Sequence, residues 1–248
     1  SYLMATIKPF KAIRPAKDKV AHVASRSYQS YSRRELNAQL SYNPFSFLHI
    51  INPGYKYSKS VSGQERFQLV HNRYLEFLED NIFLKDDSDC LYLYQVINEH
   101  HSSCGLFCST SVADYRADII KKHEDTLQRR EELFADYLST VKFNAEPVLM
   151  TYADTIEIGK IISKKRESEP EYQFMTTDKF GHKLWVISDK KSINKLQSAF
   201  KNIDALYIAD GHHRTSTLAL LNRRMKKEKS EKPYNQLLSA YFPTTELE

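Results

Sequence analysis

One stretch of this chain joins a strand pattern to a helix pattern without a spacer, and it reads Leu206-Tyr-Ile-Ala-Asp-Gly-His-His-Arg-Thr-Ser-Thr-Leu-Ala-Leu-Leu221. Residues 206–209 are apolar and rich in strand formers, whereas residues 218–221 begin an apolar, helix-forming run. Between them, Asp-Gly-His-His-Arg-Thr leaves room for only a short turn. We therefore predict a strand inside a sheet, with Gly211 at its carboxyl end and a helix that starts within a few residues.

The residues of this turn are of the types that bind anions. A helix that starts directly after a strand points its free N–H groups at whatever lies over the turn, and these groups carry a partial positive charge. Arg214, His212 and His213 add side chains that suit phosphate or carboxylate. The chain has only six glycines, which favours a special backbone angle or a close ligand approach at Gly211. The structural alternative is that Asp210 caps the helix and pairs with Arg214.

A second polar cluster, Lys121-Lys-His-Glu-Asp-Thr126, adjoins a long helix pattern. His123 and Glu124 could form an acid–base pair, or Glu124 could hold a metal ion. Alternatively, Asp125 or Thr126 caps the helix and His123 fills the turn before it, which the residues alone favour. Because both clusters are polar interruptions between apolar elements, we predict that His123 and Glu124 approach the turn at 210–214. A separation above about 15 Å, more than long side chains and one small ligand span, would mean separate purposes.

The cysteines favour a buried position over a metal site. Cys90, Cys104 and Cys108 are odd in number, which argues against a disulfide framework. Together with His100 and His101, the last two form an H-x3-C-x3-C cluster, but zinc sites usually show the tighter C-x2-C spacing. We therefore expect buried or half-buried thiols and predict no metal ligand set.

Composition is typical of a soluble globular protein that can bury a core. The 248 residues are 41% hydrophobic and 27% charged. No apolar run approaches the roughly 18 residues of a membrane span, and no signal-peptide pattern opens the chain, so we expect a cytoplasmic protein without membrane contact. The formal charge of +5 is compatible with anionic small molecules and too mild to favour nucleic acid. The motifs G-x-x-x-x-G-K-[ST], G-x-G-x-x-G and G-x-S-x-G do not occur, which excludes P-loop, dinucleotide-binding and serine-hydrolase assignments at motif level.

Strand and helix patterns alternate along the whole chain. We predict an edge strand or extended entry segment at 7–13 and strands at 46–51, 90–97, 105–112, 147–152, 172–176, 183–187, 206–209 and 236–242. We predict helices at 18–25, from the capping-box patterns at Ser32 and Ser62, within 118–141, at 155–165, at 189–201 and after 218. The fold class is therefore α+β, a mixed sheet with packed helices. It forms one compact domain over 1–248 or two closely packed lobes that meet near 115–150. His49, inside a predicted strand, is expected to be a hydrogen-bonded core residue.

Several blocks resemble a known family. Y-I-A-D-G-H-H-R at 207–214, I-K-K-H-E-D-T at 120–126 and N-P-F-S-F-L-H at 43–49 are similar to blocks of the bacterial and archaeal family named domain of unknown function 1015. K-P-F-K-A-I-R-P at 8–15 and the segment 172–186, with Phe174, Asp178, His182 and Trp185, also match its pattern. The blocks follow the family's order and span nearly the whole chain. Members of the family are longer, which implies that this chain is the N-terminal part of a longer protein.

The D-G-H-H-R turn is also similar to the G-x-H-R phosphate-binding turn of sulfiredoxin and to the corresponding turns of ParB-like proteins and free-serine kinases. Gly211, His213 and Arg214 fall on G-x-H-R, and position 212 is His where sulfiredoxin has its cysteine. The resemblance implies a ParB/sulfiredoxin-like element with a nucleotide-phosphate site at this turn.

Residues and resemblance together lead to two hypotheses. The first is a nucleotide- or phosphate-binding protein with small-molecule-kinase-like phosphotransferase activity, which uses ATP or ADP with Mg²⁺ on a small hydroxylated metabolite. Its candidate catalytic residues are Asp210, His212, His213, His123 and Glu124. Its candidate phosphate-binding residues are Gly211, His213, Arg214 and Thr215. The alternative is a non-catalytic regulatory or nucleic-acid-binding module like ParB.

Overall fold

The architecture is built around a large sheet whose strands carry alternating apolar residues. The computed structural model describes residues 6–26, 28–111, 147–203, 206–210 and 236–246. The described strands are β1 (Ile7–Lys8), β2 (Ile13–Pro15), β3 (Phe83–Lys85), β4 (Leu91–Ile97), β5 (Ser102–Ser111), β6 (Val148–Tyr152), β7 (Tyr172–Met175), β8 (Gly181–Ile187), β9 (Leu206–Asp210) and β10 (Gln236–Pro243).

Eight of these strands form one mixed sheet. They run in the order β7-β8-β4-β5-β10-β6-β9, and β1 pairs with β5 outside this path. The β10–β6 pair is parallel, and the other described pairs of this sheet are antiparallel. Strands β2 and β3 form a separate antiparallel pair. The predicted α+β fold with a mixed sheet and packed helices is therefore confirmed.

Two helices pack on one face of this sheet. The described helices are α1 (Val20–Val23), α2 (Arg33–Tyr42), α3 (Leu48–Ile51), α4 (Gly63–Glu79), α5 (Ile156–Arg166) and α6 (Lys190–Lys201). Short 3-10 turns occur at Tyr28–Ser30, Pro53–Tyr55 and Thr244–Glu246. Helices α5 and α6 contact each other and share a core with the sheet.

Strand alternation selects the side chains that meet α5 and α6. Leu91 and Leu93 are fully buried on β4, and Trp185 of β8 is paired with Leu93. Burial of each such side chain stabilises the fold by about 1.5–3 kcal/mol. The core cluster contains Ile7, Leu91, Leu93, Cys104, Leu106, Cys108, Val148, Met150, Tyr152, Ile158, Ile162, Trp185, Ile187, Ile193, Leu196, Ala199, Phe200, Ile203 and Tyr241.

A second core belongs to the helices between β2 and β3. Its members are Val23, Ile50, Phe67, Val70, Tyr74, Phe77, Ile82 and Phe83. Four of them, at helical spacing, form the buried face of α4, as the sequence predicts: Phe67, Val70, Tyr74 and Phe77.

The predicted strand at 46–51 is wrong, because this segment contains helix α3. A short apolar run has no periodicity that separates strand from helix, so its neighbours decide. Here the Ser46 hydroxyl accepts from the Leu48 N–H at 3.2 Å, and the Asn52 N–H donates to the Leu48 carbonyl at 2.9 Å. These local bonds close a helical turn that packs against α2 and α4.

The two capping-box patterns form different structures. At α2 the Ser32 hydroxyl accepts from the Glu35 N–H at 3.1 Å, and the Glu35 carboxylate accepts from the Ser32 N–H at 3.1 Å. At α4 the Ser62 side chain makes no capping hydrogen bond. Gly63 starts that helix with a left-handed φ of 59°, and Glu65 pairs with Lys59 at 2.5 Å. The second box is therefore replaced by an ion pair.

The predicted helices α5 and α6, the hairpin β7–β8 and the pair β4–β5 are confirmed. The segment 7–13 is not one strand, since it contains β1 (Ile7–Lys8), a single bridge from Phe10 to Cys90 and the start of β2 at Ile13. The helix predicted within 118–141 and the one predicted after 218 lie outside the described residues. The choice between one domain and two packed lobes stays a prediction.

The two boxes allow a matched test of capping. We expect Ser32→Ala to lower the free energy of unfolding by about 1 kcal/mol, because the Glu35 N–H loses the hydroxyl that accepts from it. Ser62→Ala should change it by less than ~0.5 kcal/mol, since its hydroxyl caps nothing. Urea unfolding followed by circular dichroism measures both values, and equal losses would contradict the assigned caps.

Candidate functional site

Strand β9 brings Asp210, the first residue of the predicted anion-binding turn, to the end of the sheet's edge strand. Asp210 is the last residue of β9 and lies opposite Leu149 in the antiparallel pairing with β6. The predicted strand is confirmed, although among the described strands β9 is last in the order and not between two neighbours. The other predicted site residues lie outside the described residues: His123, Glu124, Gly211, His212, His213, Arg214 and Thr215.

The strand ends that flank both predicted clusters lie at one end of the sheet. Strand β5 ends at Ser111, which is opposite Gln236 at the start of β10. The next strand, β6, starts at Val148, and its Leu149 is opposite Asp210 at the end of β9. These four strands are consecutive, so about three spacings of ~4.8 Å separate β5 from β9. The described strand ends that precede and follow both clusters along the chain therefore belong to the same end of the sheet.

Strand pairing is irregular where β9 ends. The register between β6 and β9 shifts between Leu149 and Met150, directly opposite Asp210. Such bulges twist a strand locally and redirect the residues that follow, and they are frequent beside active sites. Polar side chains at this end include the exposed Lys8, which is paired with Ser109 of β5. Sequence reasoning did not single out this lysine, because only strand pairing brings β1 to this end of the sheet.

A polar cluster on the sheet anchors the segment that contains β2. The Arg14 Nε donates to both Asp86 oxygens at 3.0 and 2.9 Å, and its Nη1 donates to the Tyr172 hydroxyl at 3.1 Å. The guanidinium also lies over the Tyr172 ring, 5.3 Å from its centroid. From β4, the Tyr92 hydroxyl donates to Asp86 at 2.5 Å. Arg14 thereby links β2 to β7, and Tyr92 extends the cluster to β4.

The charges of this cluster stabilise each other. Burial by itself would raise the pKa of Asp86, but hydrogen bonds from Arg14 and Tyr92 outweigh it and lower that pKa below its ordinary value. Burial by itself would lower the pKa of Arg14, and the bonds to Asp86 and Tyr172 reverse this effect. The Tyr172 hydroxyl also donates to the Pro15 carbonyl. Because these groups satisfy one another within the protein, we interpret the cluster as a structural anchor.

In the segment 172–186, each of the residues that match the family's pattern has a structural role. Trp185 is buried, and its indole N–H donates to the Ser168 carbonyl at 2.9 Å. Phe174 stacks on the His182 ring, with centroids 4.9 Å apart and an interplanar angle of 11°. Asp178 accepts hydrogen bonds inside the turn from Thr176 and from the Phe180 N–H. These contacts hold the β7–β8 hairpin in place.

The N-P-F-S-F-L-H block at 43–49 is also structural. The His49 Nε2 is 3.0 Å from the Asn43 carbonyl oxygen, and the Asn43 side chain donates to the His22 carbonyl at 2.7 Å. Burial, assisted by the nearby Arg73, lowers the pKa of His49. The prediction of a hydrogen-bonded core histidine is confirmed, although His49 lies in α3 and not in a strand.

The three cysteines are free and buried, as predicted. Burial raises the pKa of Cys104 to about 11 and that of Cys108 to about 12. A thiol reacts as its thiolate, so these two groups are inert near neutral pH. Within the described ranges, no three His, Cys, Asp or Glu side chains are arranged to hold a metal ion.

These features define an α+β protein with a mixed sheet, two helices on one face and an irregular pairing where β9 ends. The sequence model of a family described as "Protein of unknown function (DUF1015)" matches residues 7–248, and the chain belongs to this family. Searches of curated proteins and of solved structures found no match. In the described part of the chain, no helix combines the length and the apolar character that a membrane span needs. The likeness to ParB and sulfiredoxin stays a hypothesis.

The Arg14 cluster predicts a pH-dependent stability effect. We expect Arg14→Ala to lower the free energy of unfolding by about 1.5–3 kcal/mol at neutral pH, because Asp86 loses a charged partner. The pKa of Asp86 is lowered in the folded protein. Its contribution is therefore fully present above the ordinary aspartate pKa of ~3.9 and is lost as the pH falls below it. The difference between wild type and variant should shrink accordingly in urea unfolding at decreasing pH.

The control for this experiment is Arg34→Ala, because Arg34 is exposed on α2. Its effect should stay within ~0.5 kcal/mol at every pH. A loss for Arg14→Ala that is the same at neutral and acid pH would refute the role of Asp86.

Proposed function

We propose that this protein binds a nucleotide, or another small molecule that carries phosphate, at the turn that begins with Asp210. The observation that carries the proposal is that D-G-H-H-R continues the chain directly from the end of a strand of the mixed sheet. A turn in this position, followed by a helix-forming sequence, presents backbone N–H groups to an anion.

The phosphate contacts follow from the chemistry of the turn. Gly211 and the N–H groups after it cradle the phosphate oxygens, since glycine allows close approach of the main chain. Arg214 neutralises negative charge with a planar, bidentate donor, and His213 and Thr215 add further hydrogen bonds. The mild positive charge of the chain, +5, is compatible with an anionic ligand.

The proposed reaction is phosphoryl transfer between ATP or ADP, with Mg²⁺, and a small hydroxylated metabolite. In this chemistry the protein supplies positioning and electrostatic stabilisation. Asp210, His212 and His213 are suited to orient a hydroxyl group or Mg²⁺. His123 and Glu124 complete the proposed site. Support for their inclusion comes from Ser111 and Val148, which precede and follow their segment at the same end of the sheet as Asp210. A nucleotide-dependent reaction also fits the cytoplasmic location expected from the composition.

The binding test compares two arginines in the sequence after β9. A thermal-shift panel of nucleotides with and without Mg²⁺ identifies the ligand, because a ligand of the folded state raises its melting temperature. Arg214→Ala should then weaken that ligand by roughly tenfold or more, since a charged hydrogen bond contributes ~1.5–3 kcal/mol. Arg223→Ala should leave the affinity unchanged, because it lies beyond the turn. Calorimetric titration measures the dissociation constants, and the melting temperature of each variant separates lost binding from lost fold.

The outcomes separate the hypotheses. Equal losses from both arginine variants, together with DNA binding that weakens steeply with salt, would favour the ParB-like module. Turnover of ATP or ADP with a hydroxylated acceptor would favour the enzyme. If the intact protein binds no nucleotide or phosphate, the D-G-H-H-R turn is a structural corner and the proposal is wrong.

A double-mutant cycle tests whether His123 belongs to the same site. We expect His123→Ala and Arg214→Ala to be non-additive in ligand affinity, with a coupling energy above ~0.5 kcal/mol, because residues around one ligand share its contacts. His100→Ala is the control partner, since His100 is exposed in the β4–β5 turn at the other end of β5. Additive effects in both cycles would separate His123 from the phosphate site.

A further inference from the structure

A chain of four hydrogen-bonded side chains connects strand β4 with the β7–β8 turn. The Tyr94 hydroxyl lies 2.5 Å from Nδ1 of His182, and Nε2 of His182 lies 2.9 Å from the Thr176 hydroxyl. The Thr176 hydroxyl in turn donates to the Asp178 carboxylate. Tyr94 belongs to the strand that pairs with β8 on the side opposite β7. The imidazole therefore ties the hairpin turn to the next strand of the sheet.

The carboxylate end of the chain determines the tautomer of His182. An ionised carboxylate and a backbone carbonyl only accept hydrogen bonds, so the Thr176 hydroxyl uses its single hydrogen on Asp178 or on the Phe180 carbonyl, which is 3.2 Å away. The Thr176 oxygen can then only accept from the imidazole, which puts the His182 hydrogen on Nε2. A neutral ring with hydrogen on Nε2 has a lone pair on Nδ1, and the Tyr94 hydroxyl donates to it. The hydrogen bonds of this chain are therefore all donated in the same direction, from Tyr94 towards Asp178.

Protonation of His182 conflicts with this arrangement. The imidazolium carries hydrogen on both nitrogens, so Nδ1 becomes a donor towards the Tyr94 oxygen. Only one hydrogen fits in the 2.5 Å between these atoms. The Tyr94 hydroxyl hydrogen must then turn away from Nδ1 and loses its acceptor. When a half-buried hydroxyl loses its acceptor, the folded state is destabilised by about the free energy of one hydrogen bond.

The groups around His182 act on its charge in opposite directions. Burial lowers the pKa of His182, and the negative charge of Asp178 partly opposes this. Burial also raises the pKa of Tyr94 to about 12, so that its hydroxyl stays protonated and remains a donor. Phe174 of the neighbouring strand β7 and Thr176, the residue after that strand, also contact the ring, and neither of them titrates. Among the described residues, Asp178 is thus the charged group that faces the ring.

We propose that His182 is a pH-sensitive latch that holds the β7–β8 turn on strand β4 more strongly while the imidazole is neutral than when it is protonated. The sign follows from linkage: the pKa of His182 is lowered in the folded protein. The stabilisation is therefore present above the ordinary histidine pKa of ~6.5 and is lost as the pH falls through the folded-state pKa. The latch is independent of phosphate binding at the end of β9.

The first test measures the pKa of His182 by NMR titration of its ring resonances in the full chain. Tyr94→Phe should raise this pKa, because the variant removes the donor that requires a neutral Nδ1. Asp178→Asn should lower it, because the variant removes the negative charge and keeps an acceptor for Thr176. Opposite shifts from two isosteric variants are expected only from the directed chain. If Tyr94→Phe leaves the pKa unchanged or lowers it, the latch is refuted.

The second test measures whether protonation of His182 loosens the β7–β8 turn. Amide hydrogen exchange of Thr176 and Lys179 reports on the turn, since Thr176 donates to the Phe180 carbonyl at 2.9 Å and Lys179 to the Thr176 carbonyl at 3.0 Å. Relative to the unstructured-chain rate at each pH, protection should fall roughly two- to tenfold below the pKa of His182, the effect of one net hydrogen bond.

His182→Phe keeps an aromatic ring against Phe174 and removes both ring nitrogens, so its turn should show low protection at every pH. His49→Phe is the matched control, because His49 is also a buried histidine with a lowered pKa but belongs to α3. It should leave the pH dependence of the turn unchanged. Protection of the turn that does not change across the titration of His182 would overturn the proposal.

Discussion

Strands of a sheet present alternate side chains to each face, and in this protein one face is buried under α5 and α6. The buried residues of β4, β5, β6, β8 and β10 meet Ile158 and Ile162 of α5 and Ile193, Leu196 and Phe200 of α6 in one core. A one-residue slip in any of these strands would turn its apolar residues away from the helices. The burial therefore sets the register of these five strands.

The other face carries polar side chains that are satisfied within the protein. Tyr92 and Tyr94 alternate with the core residues of β4, and each takes part in a network that includes an acid. A half-buried charge is costly unless it is paired, and the Arg14–Asp86 contact meets this condition. Because these networks join β2, β4 and β7 through side chains, they fasten segments that the apolar core does not hold.

This arrangement separates two kinds of family-like block. The blocks around Arg14, His49 and His182 build the scaffold, since their polar atoms bond to other parts of the protein. The D-G-H-H-R block has a different position, because it continues from a strand end where pairing is irregular. The turn that we propose after this strand would hold backbone N–H groups in fixed positions, which an anion site requires.

Elements with clear periodicity could be predicted from the sequence alone. The spacing of apolar residues located α4 and α6, because a repeat of 3.6 residues follows from local backbone geometry, and an apolar run rich in strand formers located β9. The short run at 46–51 was assigned wrongly, and the second capping box did not form, because neighbours in space decided both. Only the tertiary structure could show that Lys8, Asp210 and the end of β5 share one end of the sheet, or that Tyr94 meets His182. Strand order and register depend on contacts between residues far apart in the chain, and local sequence patterns carry no record of those contacts.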